Sequence, residues 1–235
     1  MYKVYLSPST QENNFGVSDY GTEEIMMNTI ADVTAKELTR TGQFIIYRNR
    51  PTMTLNEVIK DSDNIKPNIH VAIHSNAFNS AARGALGLYW SGGGIASDSY
   101  KLTKAIYDEI LNISGHANGI RAGTGLAETD RVKATSTIIE VGFHDNTLDA
   151  QWIEDNIKNI GIAIAKGICE YCNVPYVPYV TPVEEVIIVE PELTFDEALQ
   201  IVKGKVDIDT EYWKQANEYD KYIDLLFIKF AKAIR

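Results

Sequence analysis

The sequence predicts an α/β fold, a central mixed but largely parallel sheet with helices on both faces, followed by a small C-terminal helical module. Two observations carry this expectation. Short β-branched runs alternate with longer helical patterns through residues 4–172. A proline-rich, acidic stretch then separates that alternation from a short pattern of purely helical spacing.

The strand patterns fall at residues 4–6, 44–47, 70–73, 86–90 and 137–142, and the helical patterns at 22–40, 54–61, 98–113 and 149–172. In such folds the reactive residues sit at strand ends and in the adjoining loops. Pro175, Pro178, Pro182 and Pro191 share one segment with Glu184, Glu185, Glu190 and Glu192, which reads as a stiff linker, with one further strand candidate at 186–189. Thr194-Phe195-Asp196-Glu197 then has the form of a capping box, and Ile223, Phe227, Phe230 and Ile234 recur at helical spacing. The expected division is 1–174 for the main domain, 175–193 for the linker and 194–235 for the helical module.

Composition narrows the function classes. With 45% hydrophobic and 23% charged residues in 235, the chain has the balance of a globular protein. The net charge of −10, with no basic run, argues against binding nucleic-acid phosphates. It also offers no general attraction to anionic wall polymers, so any wall targeting rests on specific contacts. No apolar run reaches the roughly 18 residues of a membrane span, and the N-terminus lacks a signal-peptide pattern. A cytoplasmic protein, released by another factor if it acts outside, is the expectation.

Three segments carry candidate chemistry. In His70-Val71-Ala72-Ile73-His74-Ser75-Asn76-Ala77 the intervening Val71 and Ile73 favour a strand, with His74 at its end. A histidine there suits a metal ligand opening onto a cleft, or a hydrogen-bonded structural role. Glu23 and Glu24 open the first long helix, where acidic residues also simply answer the helix dipole. Glu140 is a single carboxylate inside an apolar strand, so it must be paired, metal-linked or partly protonated, the profile of a general base or of a structural ion pair.

Together these segments resemble the zinc amidase family called amidase 3, the N-acetylmuramoyl-L-alanine amidases of autolysins and phage endolysins, and most closely the endolysins of clostridial phages. The resemblance runs over roughly residues 3–174, in family order. The family's Glu followed four residues later by Asn matches Glu24 and Asn28, and its Ile-His-x-Asn-Ala segment matches Ile73 through Ala77. Its Glu-x-Gly-Phe-x-x-Asn segment matches Glu140 through Asn146.

The resemblance implies that Glu24 and His74 bind zinc and that Glu140 is the general base, cutting the amide between N-acetylmuramic acid and L-alanine of bacterial peptidoglycan. The implied setting is a protein held in the cytoplasm until lysis. One departure matters: the family's Asp-Pro-Gly-His segment is here Ser7-Pro8-Ser9-Thr10-Gln11, and no histidine precedes His70. Gln11 is the expected stand-in, with His144 and His70 as alternatives, although a neutral amide is a poor zinc ligand beside imidazole. The missing histidine keeps open a fold that binds peptidoglycan without cutting it, and a host enzyme of sporulation or autolysis has the same chemistry.

Other signals are discounted. Cys169 and Cys172 lie near a helix C-terminus, where the dipole opposes thiolate formation, and read as core packing. Gly92-Gly93-Gly94 lacks a P-loop ending, and His116 reads as a loop histidine. The terminal module resembles one found in other clostridial lytic proteins, its role lying between wall binding and self-association.

Overall fold

The computed structural model describes residues 1–178, 194–206, 208–210, 212–214 and 227–231. The chain divides into two compact units, Met1–Tyr179 and Val180–Arg235.

The first unit is built on a six-stranded sheet of order β2-β1-β3-β6-β4-β5. Its strands are β1 (Tyr2–Pro8), β2 (Phe44–Arg48), β3 (Ile69–Asn76), β4 (Ala85–Tyr89), β5 (Ala117–Ala122) and β6 (Thr135–Phe143). All pairs are parallel except β4 with β6. Residues 4–7 and 69–73 are buried without a break, as expected of parallel strands covered on both faces.

Alternation along the strands sorts the residues into two unlike faces. Val4, Leu6, Val71, Ile73, Ile139 and Val141 join the main core with helices α1 (Glu23–Arg40), α3 (Asp98–Ser114) and α5 (Thr147–Tyr171). Gly161 and Gly167 of α5 permit that close packing, since a Cβ at Gly167 would lie 2.4 Å from the Ile106 backbone. The other face carries Tyr5, Ser7, His70, His74 and Glu140, with α2 (Leu55–Ile65) and the single-turn α4 (Ala127–Asp130) on that side. A capping box of Thr54 and Glu57 starts α2, and Lys66 in the left-handed region ends it.

In the first unit the expected strands and helices are present, and three short elements more appear, β5, α4 and a 3-10 turn at Gly94–Ala96. β5 escapes the sequence pattern because Gly119 (φ 103°) interrupts it and its residues are at most half-buried. α4 is too short for periodicity to reveal. Val174 and Tyr176 pack on the main core, and the Tyr176 hydroxyl donates to Glu37 at 2.6 Å, so the first unit runs past residue 174.

In the second unit, α6 (Phe195–Lys203) begins with the expected capping box of Thr194 and Glu197. Its buried face, Ala198, Leu199 and Val202, packs with Phe227 and Ala231. Linker residues 179–193, with the strand expected at 186–189, lie outside the described residues, as does most of the stretch of helical spacing from Ile223 to Ile234.

Candidate active site

The polar face of the sheet ends in a cleft of about 400 Å³. Gln11, His74, Glu128 and Glu140 are among its lining residues.

His74, near the end of β3, is the centre of the site. Its Nδ1 donates to Glu23 Oε1 at 2.8 Å, and its Nε2 lies 3.4 Å from Glu128 Oε2. Burial opposes the charged imidazole, but Glu128 and Glu23 outweigh it and hold the His74 pKa well above its ordinary value. Glu23 is 1% exposed. Burial opposes its ionisation too, yet hydrogen bonds from His74, Asn14 (2.6 Å) and the Ser75 amide hold its pKa below the usual value.

The structure thus brings Glu23, and not Glu24, to His74. Thr22 caps α1 and Glu23 is its first residue. One position further turns the next side chain about 100° around the helix. Glu24 accordingly points to Asn28, whose Nδ2 donates to its Oε1 at 3.1 Å. The Glu-x-x-x-Asn spacing marks an intrahelical pair, while the buried neighbour faces the strand.

Glu128, which the sequence reading did not single out, is 7% exposed and held by three side chains. Ser7 Oγ and His70 Nε2 (3.1 Å) donate to its Oε1, and His74 approaches its Oε2. Burial would raise its pKa, but hydrogen bonds from His70 and His74 win and keep it strongly depressed. Only a lone acid in a neutral segment, Gly125-Leu126-Ala127-Glu128, hints at it in the sequence.

Glu140 stands beside His74 in the parallel register of β3 and β6. Its Oε2 is buried with no hydrogen-bond partner. Burial pushes its pKa up to about 7, opposed by His74 and reinforced by Glu23 and Glu128.

The remaining sequence candidates fare differently. Gln11 is exposed on the loop after β1 and reaches the cleft wall. His70 is fully buried, bonded to Ser62 through Nδ1 (2.9 Å) and to Glu128 through Nε2, and stacked on Tyr5. His144 is buried against the Tyr20 ring, with Nδ1 2.9 Å from Ser75 Oγ. Both act as packing and hydrogen-bonding groups. His116 is exposed, and Cys169 and Cys172 are buried free thiols.

Among the described residues no three His, Cys, Asp or Glu side chains are arranged, as placed, to hold a metal ion. Donor types that suit a metal are nonetheless present. Glu23 Oε1 faces His74 Nδ1 and an unpartnered Glu140 oxygen lies on the neighbouring strand, while Glu128 stands at the opposite ring nitrogen, Nε2.

The sequence matches the family N-acetylmuramoyl-L-alanine amidase, Amidase_3, over residues 4–170. The chain belongs to this amidase family. It is a peptidoglycan amidase, a hydrolase. No curated protein matches the sequence.

Among solved structures, the catalytic domain of the amidase CwlV from Bacillus (Paenibacillus) polymyxa var. colistinus is 22% identical. It superposes with a TM-score of 0.67 over 74% of this chain and 100% of its own. The amidase AmiC2 of Nostoc punctiforme is 17% identical, with a TM-score of 0.65 over 73% of this chain and 97% of its own. The catalytic domain of the CD27L endolysin, which targets Clostridia difficile, is 18% identical, with a TM-score of 0.59 over 72% of this chain and 98% of its own. At these identities the likeness concerns the fold.

Proposed function

We propose that this amidase is a zinc enzyme of the endolysin type, with Glu23 and His74 as metal ligands and Glu140 as the group that moves protons. The observation that carries the reading is the pairing of a buried, unpartnered Glu140 oxygen with a His74 that two carboxylates hold in place.

Zinc bound with an open position supplies Lewis-acid polarisation of the scissile carbonyl and a more acidic water. The protein's own residues do the rest. Glu23 fixes the His74 ring through Nδ1 in the metal-free protein, and Asn14 and the Ser75 amide fix Glu23 in turn. Glu140, buried and near neutral in pKa, takes the proton of the attacking water. The same carboxyl then delivers that proton to the leaving L-alanine nitrogen, so the amine departs neutral. A neighbouring cation favours its ionised form, which readies it as a base.

The endolysin assignment, with release to the wall at lysis, rests on the resemblance to clostridial phage enzymes and on fold likeness to the CD27L catalytic domain. The second unit is separate from the catalytic one, and the role proposed for it is wall binding or self-association. Turbidity loss of purified clostridial walls tests the zinc reading. Chelator-treated protein should lose lysis and regain it with zinc, and undiminished lysis in excess chelator would refute the assignment.

A further inference from the structure

We propose that a second pocket, with Trp90 and Asp130 in its wall, is a carbohydrate subsite that holds an N-acetylhexosamine unit of the peptidoglycan glycan away from the scissile amide. The inference rests on the peptidoglycan amidase reading above and concerns where the glycan is gripped.

The pocket, of about 380 Å³, lies where the residue after β4, the first turn of α3 and the start of β6 meet. Two elements tie it to the catalytic cleft. Ser136, Ile138 and Glu140 share one face of β6 by strand alternation, and Ser136 lines the second pocket while the other two line the cleft. Four residues of strand separate Ser136 from Glu140, about 13 Å. The single turn of α4 contributes to both cavities: Glu128 lines the cleft, and Asp130, two positions and about 200° further around the helix, lines the second pocket. A glycan is a polymer, so a strand whose peptide-bearing sugar enters the cleft has further sugars with which to reach this pocket.

The wall of the pocket is built in advance. Trp90 is 44% exposed, yet its position is fixed. Its main-chain amide donates to Ser99 Oγ at 2.7 Å, and that hydroxyl donates to the Ser136 carbonyl at 2.6 Å. Gly92 and Gly93 lie against the indole: a Cβ at Gly92 would come 2.4 Å from ring atom Cζ2, and one at Gly93 2.9 Å from Cε3. The loop folds onto the ring because these positions carry no side chain. The Ser91 hydroxyl donates to Asp130 Oδ1 at 2.9 Å, and the Gly125 amide donates to Oδ2 at 2.8 Å. Trp90 is thereby latched to Asp130 through its neighbour in the chain, and binding here costs little ordering of the protein.

The chemistry of the wall selects a sugar. The electron-rich face of an indole attracts the slightly positive C–H groups of a pyranose ring. The carboxylates of Asp98 and Asp130 accept from sugar hydroxyl and acetamido N–H groups. A lipid or an apolar peptide would call for an apolar lining, and two carboxylates oppose a phosphate. Since the net charge of −10 gives no general attraction to wall polymers, a specific sugar contact is what this chain needs to hold its substrate.

The test titrates chitotetraose, a soluble N-acetylglucosamine oligomer, into the full chain and into Trp90→Ala and Trp90→Phe by calorimetry. Trp90→Ala should bind at least about tenfold more weakly, and Trp90→Phe, which keeps an aromatic face, within about threefold of the unaltered chain. Thermal melts check folding, and Trp90→Leu, which keeps apolar bulk without the ring, replaces Trp90→Ala if that variant does not fold. A kinetic arm compares glycan strands of several disaccharides with an N-acetylmuramoyl-peptide of one sugar. Trp90→Ala should raise KM at least about tenfold on the strands with kcat within about twofold, and should match the unaltered chain on the single-sugar substrate. Equal chitotetraose affinity in Trp90→Ala, or no binding by the unaltered chain, would overturn the inference. So would heat from a free stem peptide that is lost in Trp90→Ala, because it would give the pocket to the peptide. If the unaltered chain cuts neither substrate, the amidase reading falls, and the calorimetry still decides the subsite.

Discussion

His74 and Glu140 are register partners on adjacent parallel strands, β3 and β6, so an imidazole held between two carboxylates and a carboxyl with an unpartnered oxygen stand side by side near the strand ends. The sheet's pairing therefore fixes the spacing of a metal-ligand candidate and its proton carrier, with no flexible loop between them.

Glu140→Gln should lower turnover on peptidoglycan by at least about a hundredfold, the usual contribution of a general acid–base group, while zinc content stays within about twofold. The same substitution has a stability signature in the metal-free protein. The Glu140 pKa is raised from 4.5 to about 7, so the native state holds its proton more tightly than the unfolded chain. Stability is full below the unfolded pKa and is lost as pH rises toward the folded one. Glu140→Gln removes that loss and should melt at least about 2 °C above the unaltered protein at pH 8. Equal melting temperatures at pH 8 would show that the carboxyl is compensated.

Glu23 and Glu24 make an internal control. Glu23→Gln should weaken zinc at least about tenfold in chelator competition, because it replaces the proposed carboxylate ligand that faces His74 Nδ1 with a neutral amide. Glu24→Gln, which disturbs only the contact with Asn28, should stay within about twofold. The reverse order would restore Glu24 as the ligand.

Cys169 and Cys172 are buried, and burial pushes their thiols up to about 11 and about 12. Since the thiolate is the reactive form, native labelling at pH 8 should run at least about a hundredfold slower than in denaturant. Fast native labelling would reopen a redox or metal role for the pair.

The two compact units predict that residues 1–179 fold alone and hydrolyse soluble peptidoglycan fragments within about threefold of the full chain, a difference of less than about 1 kcal/mol in barrier. Action on intact cells should fall without the helical unit. A truncated chain with no cooperative melt would show that the second unit is part of the catalytic fold.

Much of this architecture is legible in the sequence for a physical reason. Parallel strands buried on both faces must be largely apolar runs, so residues 70–73 and 137–142 announce themselves, and a polar residue at the end of or within such a run, His74 or Glu140, stands out as a site candidate. Choosing Glu23 over Glu24 needs the helix rotation relative to β3, which the Thr22 cap fixes only in three dimensions. Glu128 leaves only a faint trace in the sequence because one helical turn has no period, and its partners Ser7, His70 and His74 lie 121, 58 and 54 residues away.

The measurement that tests the central claim most directly is end-group analysis of purified peptidoglycan digested by the full chain. An amidase that cuts between N-acetylmuramic acid and L-alanine releases new N-terminal alanine and no new reducing sugar. The account predicts that result, abolished in Glu140→Gln. Reducing ends without free alanine, or intact walls that bind the protein and release neither, would contradict it.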